Sequence, residues 1–333
     1  SAASGAIDIS GSLGSLTNSG DIVGDTNADA VEGTIASIIN SGTIRADRFD
    51  AIIGRDDISR IENSGTIDAV FQAIEVSSSE FNIGEIVISG TIVSQSRDAI
   101  QARGDLGILT NTGTIQGVFE AVEVGDDLGS LTTTGTISSV ERDAIQIFGA
   151  LGSLEISGTI TAEDEAIYVE EGVGSLTNSG TIFSRFEDAI FINGVDDAPV
   201  GTIMNSGMID GSLAGLAAMS SDIESIENSG TIVGRLETAV QIGSVGSFIN
   251  SGTIESTGNE SNDPGDGIFV DGVMQSFENS GTVRGGFAGI HAATDTEYDW
   301  PWYGELVGTY FESHPPGTPT ATIKVADQVH PST

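Results

Sequence analysis

The sequence predicts an all-β protein, a right-handed parallel β-helix (β-solenoid) of about 12 coils of 22–23 residues, with a non-repeat C-terminal segment. Three observations predict this fold. A Ser-Gly-Thr-Ile motif recurs at a spacing of about one coil, apolar and polar residues alternate within each repeat, and no stretch has a helical period. We therefore expect a β-helix over residues 1–294 and a separate segment over residues 295–333.

The repeat is aligned on the glycine of its motif, and successive copies are 22 to 29 residues apart. Each copy contains three short segments rich in Ile, Val and Thr, which predict strands separated by turns. Three such strands cannot bury their apolar faces within one repeat, so successive coils must pair as parallel strands. A leucine-rich repeat has a similar period, but its leucine pattern and helical segment are absent. The aligned glycines are Gly20, Gly42, Gly65, Gly90, Gly113, Gly135, Gly158, Gly180, Gly207, Gly230, Gly252 and Gly281.

Stacking places equivalent residues of successive repeats directly above one another. The isoleucine two residues after the glycine, from Ile22 to Ile254, predicts an apolar column inside the rod. The asparagine two residues before the glycine, from Asn18 to Asn279, predicts a ladder of amides that hydrogen-bond along the axis. For the glycine itself we expect a corner whose backbone conformation is closed to most other residues. The asparagine ladder is interrupted by Ile88, Thr133 and Ile156.

The chain is strongly acidic, with 49 Asp and Glu residues, 11 Lys and Arg residues and a formal net charge of -38. A surface with this charge repels nucleic acid, and no basic cluster could neutralise a row of phosphates, so we predict no nucleic-acid partner. No apolar run approaches the length of about 18 residues that a membrane-spanning helix needs, so no transmembrane segment is predicted in this chain. The absence of cysteine excludes disulfides and thiolate metal sites.

Arginine and aspartate recur before the segment that opens every second coil, and these coils are one residue longer than their neighbours. Such residues would suit a β-helix enzyme that cleaves polysaccharides, which needs paired carboxylates or calcium-binding aspartates beside a base. A catalytic site is a single feature of a solenoid, whereas a residue repeated in register is typical of a corner cap or an ion-pair ladder. We therefore assign no catalytic residue. The recurring residues are Arg97 with Asp98, Arg142 with Asp143, and Arg185 with Asp188.

Aromatic side chains are expected on the surface at Tyr168 and Phe191 of adjacent coils, with Phe183 on a neighbouring face. Such a cluster is typical of a platform for a sugar ring or of a lateral contact with another protein. Isolated surface aromatics are also common, so both interpretations stay open. A threonine column from Thr43 to Thr181 suggests ice binding, but the paired Thr-x-Thr pattern of ice-binding proteins is absent.

Calcium is the cofactor that the sequence favours. The acidic stretch at residues 259–267 supplies clustered oxygen atoms among turn residues that could wrap a cation. It matches neither an EF-hand nor a nonapeptide calcium repeat, and a solvated acidic surface explains the same residues. No other cofactor is predicted. The candidate calcium ligands are Asn262, Asp263 and Asp266.

Residues 295–333 depart from the repeat and contain both tryptophans, three of the four tyrosines and five of the seven prolines. A segment this rich in aromatic residues is expected to pack on another surface. It either caps the last coil or covers the open end of a neighbouring subunit, and the second arrangement would build a head-to-tail homo-oligomer. The first repeat begins near residue 6 without a recognisable cap, so we expect either that a cap has been removed or that another subunit covers this strand edge. The predicted interface residues are Trp300, Trp302, Tyr303, Tyr310 and Phe311.

The serial Ser-Leu-Thr-Asn-Ser-Gly-Thr-Ile and Asp-Ala-Ile units over residues 6–292 resemble the passenger β-helices of Gram-negative autotransporters and related repeat-rich bacterial surface proteins. The resemblance implies an extracellular location at the bacterial cell surface and a structural or adhesive rod, displayed singly or assembled into a fibre. Host or environmental glycans are the implied partners of an adhesive rod. A polysaccharide-active lyase or hydrolase is the alternative, because the β-helix is also the scaffold of such enzymes.

Overall fold

A computed structural model describes residues 7–9, 11–25, 29–31, 33–195, 198–258, 265–292, 309–311 and 323–325. Over these residues the protein is all-β, its strands stack in parallel coils, and no α-helix is present. The predicted β-solenoid with a non-repeat C-terminal part is confirmed. Within the same residues no helix has the length and hydropathy needed to cross a membrane.

Each coil contributes three strands, which stack into three ladders that we name A, B and C in chain order. Ladder A contains the short strands that open each coil. Its members are β1 (Ile7–Ile9), β4 (Asp29–Val31), β7 (Ile52–Gly54), β10 (Ile74–Val76), β13 (Ile100–Ala102), β16 (Val122–Val124), β19 (Ile145–Ile147), β22 (Ile167–Val169), β25 (Ile190–Ile192), β32 (Ile268–Val270) and β35 (Ile290–Ala292).

Ladder B contains the strands that end two residues before the motif glycine, at the position that we name the asparagine station. Its members are β2 (Leu16–Asn18), β5 (Ile38–Asn40), β8 (Ile58–Asn63), β11 (Ile83–Ile88), β14 (Leu106–Asn111), β17 (Leu128–Thr133), β20 (Leu151–Ile156), β23 (Val173–Asn178), β26 (Val200–Asn205) and β33 (Met274–Asn279). Two long strands, β28 (Leu216–Asn228) and β30 (Val240–Asn250), run through both ladders and join them into one sheet of 23 strands.

Ladder C follows the motif glycine and forms a separate sheet of 12 strands. Its members are β3 (Asp21–Gly24), β6 (Thr43–Ala46), β9 (Thr66–Ala69), β12 (Thr91–Ser94), β15 (Thr114–Gly117), β18 (Thr136–Ser139), β21 (Thr159–Ala162), β24 (Thr181–Ser184), β27 (Met208–Gly211), β29 (Thr231–Gly234), β31 (Thr253–Ser256) and β34 (Thr282–Arg284). At the usual strand separation of about 4.8 Å, the steps from first to last strand span roughly 53 Å. Outside the coils, β36 (Thr309–Phe311) pairs antiparallel with β37 (Ile323–Val325).

One hydrophobic core runs along the inside of the coils. Equivalent residues pair across neighbouring coils, so that Ile92 stands between Ile67 and Ile115. From Ile44 to Ile254 every isoleucine of the predicted column is 0% exposed. Burying one such side chain stabilises the fold by about 1.5–3 kcal/mol, so the column alone contributes a large part of the driving force.

The asparagine ladder forms as the sequence predicts. The side-chain amide of Asn205 donates to Asn228 Oδ1 at 2.8 Å, and Asn228 donates to Asn250 Oδ1 at the same distance. Each amide also bonds to the backbone of its own corner and of the next coil, as Asn228 Nδ2 does to the carbonyls of Gly230 and Thr253. The ladder therefore satisfies buried polar groups and links coils along the axis.

The motif glycines are required because successive coils approach closely. A Cβ atom on Gly158 would lie 2.0 Å from the carbonyl oxygen of Gly135 in the preceding coil. A Cβ atom on Gly20 would meet no heavy atom of the described residues within 4 Å. Among the described glycines only Gly194, which lies outside the motif, has a positive φ, of 64°. The expectation of a forbidden backbone conformation at this corner is therefore wrong.

Candidate functional site

Acidic side chains line up along the rod two residues before the strands of ladder A. This station, which we name the carboxyl column, lies at the corner between ladders C and A. Most of its members are buried, which is unusual for carboxyl groups and makes the column the leading candidate site. The column consists of Asp50, Asp98, Glu120, Asp143, Glu165 and Asp188, with the amide of Gln72 at the same station between Asp50 and Asp98.

Each aspartate of the column caps the coil that follows it. Its Oδ1 accepts the backbone N–H of the residue at the same station one coil later. This geometry confirms the corner-cap interpretation of the recurring aspartates. The bonds run from Gln72 N to Asp50 at 3.0 Å, from Glu120 N to Asp98 at 3.3 Å, from Glu165 N to Asp143 at 3.1 Å and from Ala214 N to Asp188 at 2.7 Å.

The pKa values of two aspartates of the column are raised. Burial raises the pKa of Asp98 to about 8, and the neighbouring carboxyl group of Glu120 adds to the rise. Burial and the neighbouring carboxyl group of Glu165 likewise raise the pKa of Asp143 to about 8. Both effects disfavour the charged form of the carboxyl group.

Asp98, Glu120 and Glu123 form an acidic cluster with carboxylate oxygens within 4.8 Å of one another. The guanidinium of Arg142 lies 3.6 Å from Glu120, and the amide of Gln101 donates to Glu123 at 2.9 Å. Burial also raises the pKa of the Glu123 carboxyl. Within the described residues this is the group of carboxylates whose donor atoms suit a hard cation such as calcium.

The predicted calcium loop is described only at its end. Asn262 and Asp263 lie outside the described residues. Asp266 is buried, its Oδ1 accepts the backbone N–H of Ala288 at 2.9 Å, and its Oδ2 lies 2.9 Å from His291 Nδ1. Both of its carboxylate oxygens therefore contact the next coil.

The predicted aromatic pair lies on adjacent strands of ladder A. The rings of Tyr168 and Phe191 stack with centroids 5.6 Å apart and an interplanar angle of 25°. Each ring therefore covers one face of the other, and a sugar would have to use the remaining faces or edges. Phe183 lies on ladder C instead, with the guanidinium carbon of Arg235 5.4 Å from its ring centroid.

Of the predicted interface residues, Trp300, Trp302 and Tyr303 lie outside the described residues. Tyr310 and Phe311 belong to β36. Their partners in the antiparallel pair are Lys324 and Ile323, respectively.

Three of the longer coils contain a serine bridge that the sequence analysis missed. Ser139, four residues after the motif glycine of a longer coil, donates its hydroxyl to the carbonyl of Phe119 in the shorter coil before it. The same hydroxyl accepts the backbone N–H of Arg142 at 3.0 Å, which closes the extra-residue turn. Ser94 and Ser184 make equivalent bonds. The signal available in the sequence was serine at this station of three longer coils, whereas Ala46 and Gly234 occupy it in two others.

Arginine and phenylalanine alternate on the outer side of the carboxyl column. The guanidinium carbon of Arg142 lies 4.6 Å from the ring centroid of Phe119, and that of Arg97 lies 4.8 Å from Phe71. At exposed sites such contacts stabilise by about 0.5–1 kcal/mol. Arg97 and Arg142 therefore pack on the aromatic side chain of the coil before them, whereas the guanidinium carbon of Arg185 lies 5.0 Å from the ring centroid of Phe186 in its own coil.

Residues 266–333 match the family described as ThuA: Trehalose utilisation. The match covers about a fifth of the chain and begins at Asp266, within the last described coils of the solenoid. No curated protein and no solved structure matches the chain.

Proposed function

We propose that this chain is an extracellular structural or adhesive rod, displayed on a bacterial surface or joined head to tail into a fibre. One observation carries the proposal. The recurring polar residues contact the neighbouring coil. In an enzyme, residues of these types would be candidates for catalysis. Asp143 caps Glu165, Asn228 links Asn205 to Asn250, and Ser139 bonds to Phe119. The repeat therefore serves axial stacking, and the rod itself is the part adapted for function.

The net charge of -38 affects how such rods meet. Like-charged rods repel one another, so joining requires a specific contact or a bridging cation. The aromatic residues between 295 and 333 supply the candidate contact, and calcium supplies the candidate bridge. The resemblance to autotransporter passengers supports the same extracellular role.

Negative-stain microscopy of the concentrated protein, with and without calcium, tests assembly. We expect filaments whose width matches one coil, and we expect Trp300→Ala with Trp302→Ala to shorten them. Phe148→Ala is the control, because that side chain is exposed on the coils, at 41%, and should not affect joining. Dispersed single rods under all conditions would contradict head-to-tail assembly.

Glycan binding tests the adhesive part of the proposal separately. We expect Tyr168→Ala and Phe191→Ala to weaken retention on immobilised glycans, whereas Phe186→Ala, at an exposed corner, should leave it unchanged. Because the family matched at the C-terminal end is named for trehalose utilisation, trehalose belongs in the panel of sugars. Equal binding by all variants would show that the aromatic pair is not the contact.

A polysaccharide-active enzyme is the second candidate, favoured by the acidic cluster of Asp98, Glu120 and Glu123. Its oxygens lie within 4.8 Å. The two carboxyl groups of glycosidases are separated by about 5–9.5 Å, so the cluster is tighter than either usual arrangement. An assay for cleavage of acidic and neutral polysaccharides tests this candidate. Activity that is lost in Glu123→Gln and retained in Glu155→Gln on ladder B would favour the enzyme over the rod.

A further inference from the structure

The outer edge of the corner between ladders C and A is corrugated, because longer and shorter coils alternate along the rod. Most turn residues of the longer coils are exposed at this corner, whereas those of the shorter coils are half-buried. We name the exposed turns ridges and the half-buried turns notches. The ridges are residues 47–49, 95–97, 140–142, 185–187 and 235–237, and the notches are residues 70–71, 118–119, 163–164 and 212–213.

Ridges and notches recur with the same period. Each kind occupies every second coil, so neighbouring ridges are about 9.6 Å apart, which is twice the usual strand separation. The notch at 70–71 shows how the edge is built. The ring of Phe71 contacts Phe49 of the ridge before it at 5.3 Å between centroids, and the guanidinium carbon of Arg97 in the ridge after it lies 4.8 Å from the same ring centroid.

The ridges expose apolar side chains and arginines along one line. Large apolar residues in such a row are typical of a contact surface. Each ridge also contains one arginine, so the cations recur with the same period. The exposed apolar residues are Phe49 at 42%, Val140 at 47%, Phe186 at 54% and Leu236 at 47%.

This ridged edge is close to neutral on a chain whose net charge is -38. The five ridges contain five arginines and four acidic residues, and three of the four notches contain no charged residue. The fourth notch contains Glu163 and Asp164. Since like-charged rods repel one another, two copies of the chain approach with the least repulsion when these edges face each other.

We propose that two copies of this chain pair side by side and antiparallel along the ridged edge, with the ridges of each copy inserted into the notches of the other. The equal periods of ridges and notches allow every ridge between residues 95 and 237 to meet a notch. The two-fold axis lies between the ridge at 140–142 and the notch at 163–164. A parallel pair without an offset would instead place ridge on ridge and arginine against arginine.

The apolar contacts match in this register. The ridge that contains Phe186 meets the partner's notch at 118–119, which consists of valine and phenylalanine. The ridge that contains Leu236 meets the partner's notch at 70–71, which has the same two residue types. Burial of the two exposed side chains supplies the driving force, and the symmetry repeats each contact.

The charged contact lies beside the two-fold axis. The ridge of Arg142 meets the partner's notch that contains Asp164, and the partner's ridge meets the same notch of the first copy. The side chain of Arg142 is 57% exposed, so its guanidinium is accessible to a carboxylate of another chain. This pair favours the antiparallel register over its neighbours, because electrostatic complementarity sets register more than affinity.

Side-by-side pairing does not depend on the end-to-end joining proposed above, because it uses neither residues 295–333 nor the first coil. Sedimentation velocity of the full chain from about 1 to about 200 µM tests it. We expect a species of twice the monomer mass, which persists in Trp300→Ala with Trp302→Ala. A single rod at all concentrations, or a dimer that this variant abolishes, would overturn the proposal.

Substitution at the ridges locates the contact. We expect Phe186→Glu with Leu236→Glu to raise the dissociation constant at least about a hundredfold, because four buried apolar side chains per dimer are lost. The control is Phe148→Glu with Val273→Glu, which adds the same charge at exposed apolar sites of the corner between ladders A and B, at 41% and 55% exposure. Equal weakening by both variants would assign the effect to charge and overturn the ridged edge as the interface.

A charge exchange tests the register. Arg142→Glu should weaken the dimer, and the further change Asp164→Arg in the same chain should restore it, because each ridge again meets the opposite charge. A double variant as weak as Arg142→Glu alone would overturn the antiparallel register.

Disulfide cross-linking gives a second test that does not require a weakened variant. The chain has no cysteine, so Val118→Cys with Phe186→Cys introduces the only two thiols. These positions are three coils apart, about 14 Å, which is too far for a disulfide within one chain. We expect covalent dimers after mild oxidation of the double variant and none from either single variant. Monomers alone, or dimers from a single variant, would overturn the proposal.

Discussion

The middle coils, residues 88–189, and the later coils, residues 198–282, secure the same stacking at different corners. In the later coils the asparagine station is unbroken, at Asn205, Asn228, Asn250 and Asn279, while the station of the carboxyl column holds Ala214 and Thr238 before an aspartate returns at Asp266. In the middle coils the column is unbroken from Asp98 to Asp188. Their asparagine station holds Ile88, Asn111, Thr133 and Ile156 before an asparagine returns at Asn178.

This difference indicates that a coil needs polar side chains bonded along the rod axis at one of two corners, the asparagine station or the carboxyl column. At the other corner it tolerates apolar side chains. Ile88 and Ile156 are both 0% exposed, so the asparagine station becomes part of the hydrophobic core where the amide is absent. Amides form neutral bonds that do not depend on pH, whereas the buried carboxyl groups titrate, with the pKa values of Asp98 and Asp143 raised to about 8. The two regions should therefore differ in their response to mutation and to pH.

The motif glycines are common to both regions. Replacement of one of them should have the largest effect on the free energy of unfolding. Gly158→Ala in the middle and Gly230→Ala in the later coils each place a Cβ about 2 Å from a backbone oxygen of the preceding coil. We expect either change to lower the free energy of unfolding by about 3 kcal/mol or more, because the backbone must shift. Urea unfolding measures it, with Gly20→Ala as the control, where the added Cβ has space. Equal, small effects at all three sites would contradict the close-approach explanation.

Replacement of an asparagine should lower the stability of the later coils more than that of the middle coils. Asn228→Ile removes the partner of both Asn205 and Asn250, and unsatisfied buried groups cost about 1–3 kcal/mol each. Asn111→Ile should cost less, about 1 kcal/mol, because Ile88 and Thr133 already flank it at this station. Thermal unfolding of the two variants compares them. Similar losses would show that the interrupted ladder still depends on its remaining amide.

Raising the pH from 5 to 8.5 should open the middle coils before the later ones. Burial raises the pKa of Asp188 to about 7, in addition to the higher values of Asp98 and Asp143. Each proton held only in the folded state weakens the middle coils by about 1.4 kcal/mol per pH unit between the unfolded and folded pKa values. Hydrogen exchange of peptides, corrected for the intrinsic pH dependence of exchange, measures this. Uniform loss of protection along the rod would assign the effect to overall charge repulsion instead.

The smallest effect is expected at the turn of a longer coil. Ser139→Ala leaves the backbone N–H of Arg142 and the carbonyl of Phe119 without the bridging hydroxyl. We expect a loss of about 1 kcal/mol, the lower end of what two hydrogen bonds of about 0.5–1.5 kcal/mol each contribute. Ser138→Ala, its neighbour on the outer side of the same strand, is the control in urea unfolding. An equal loss in both would assign the effect to the strand and not to the bridge.

The strands and columns were predictable because a fixed period places equivalent residues at one station. Ile92 could be placed between Ile67 and Ile115 from spacing alone, and the structure confirms that register. The reason for the glycine was not predictable from local preferences. The space above Gly158 is limited by Gly135, which is 23 residues earlier in the chain and contacts it only after stacking.

The candidate site was predicted in part. Asp98 and Asp143 were recognised as corner caps because they recur in register, but their bonding to Glu120 and Glu165 was not. Those glutamates belong to the shorter coils, and nothing in a linear pattern shows that their backbone N–H groups donate to the aspartates of the preceding coil. The bridging role of Ser139 was missed for the same reason, since its carbonyl partner lies in another coil.

The sequence by itself determined the all-β class, the coil length, the inward isoleucines and the asparagine ladder. Each of these follows from periodicity, which is a property of the chain read in order. The tertiary structure alone decided which groups meet across coils: the backbone caps made by the column aspartates, the serine bridges and the stacked Tyr168 and Phe191 rings. The physical reason is that these contacts depend on distances of a few ångströms between residues 20 or more positions apart, which only the stacked coils define.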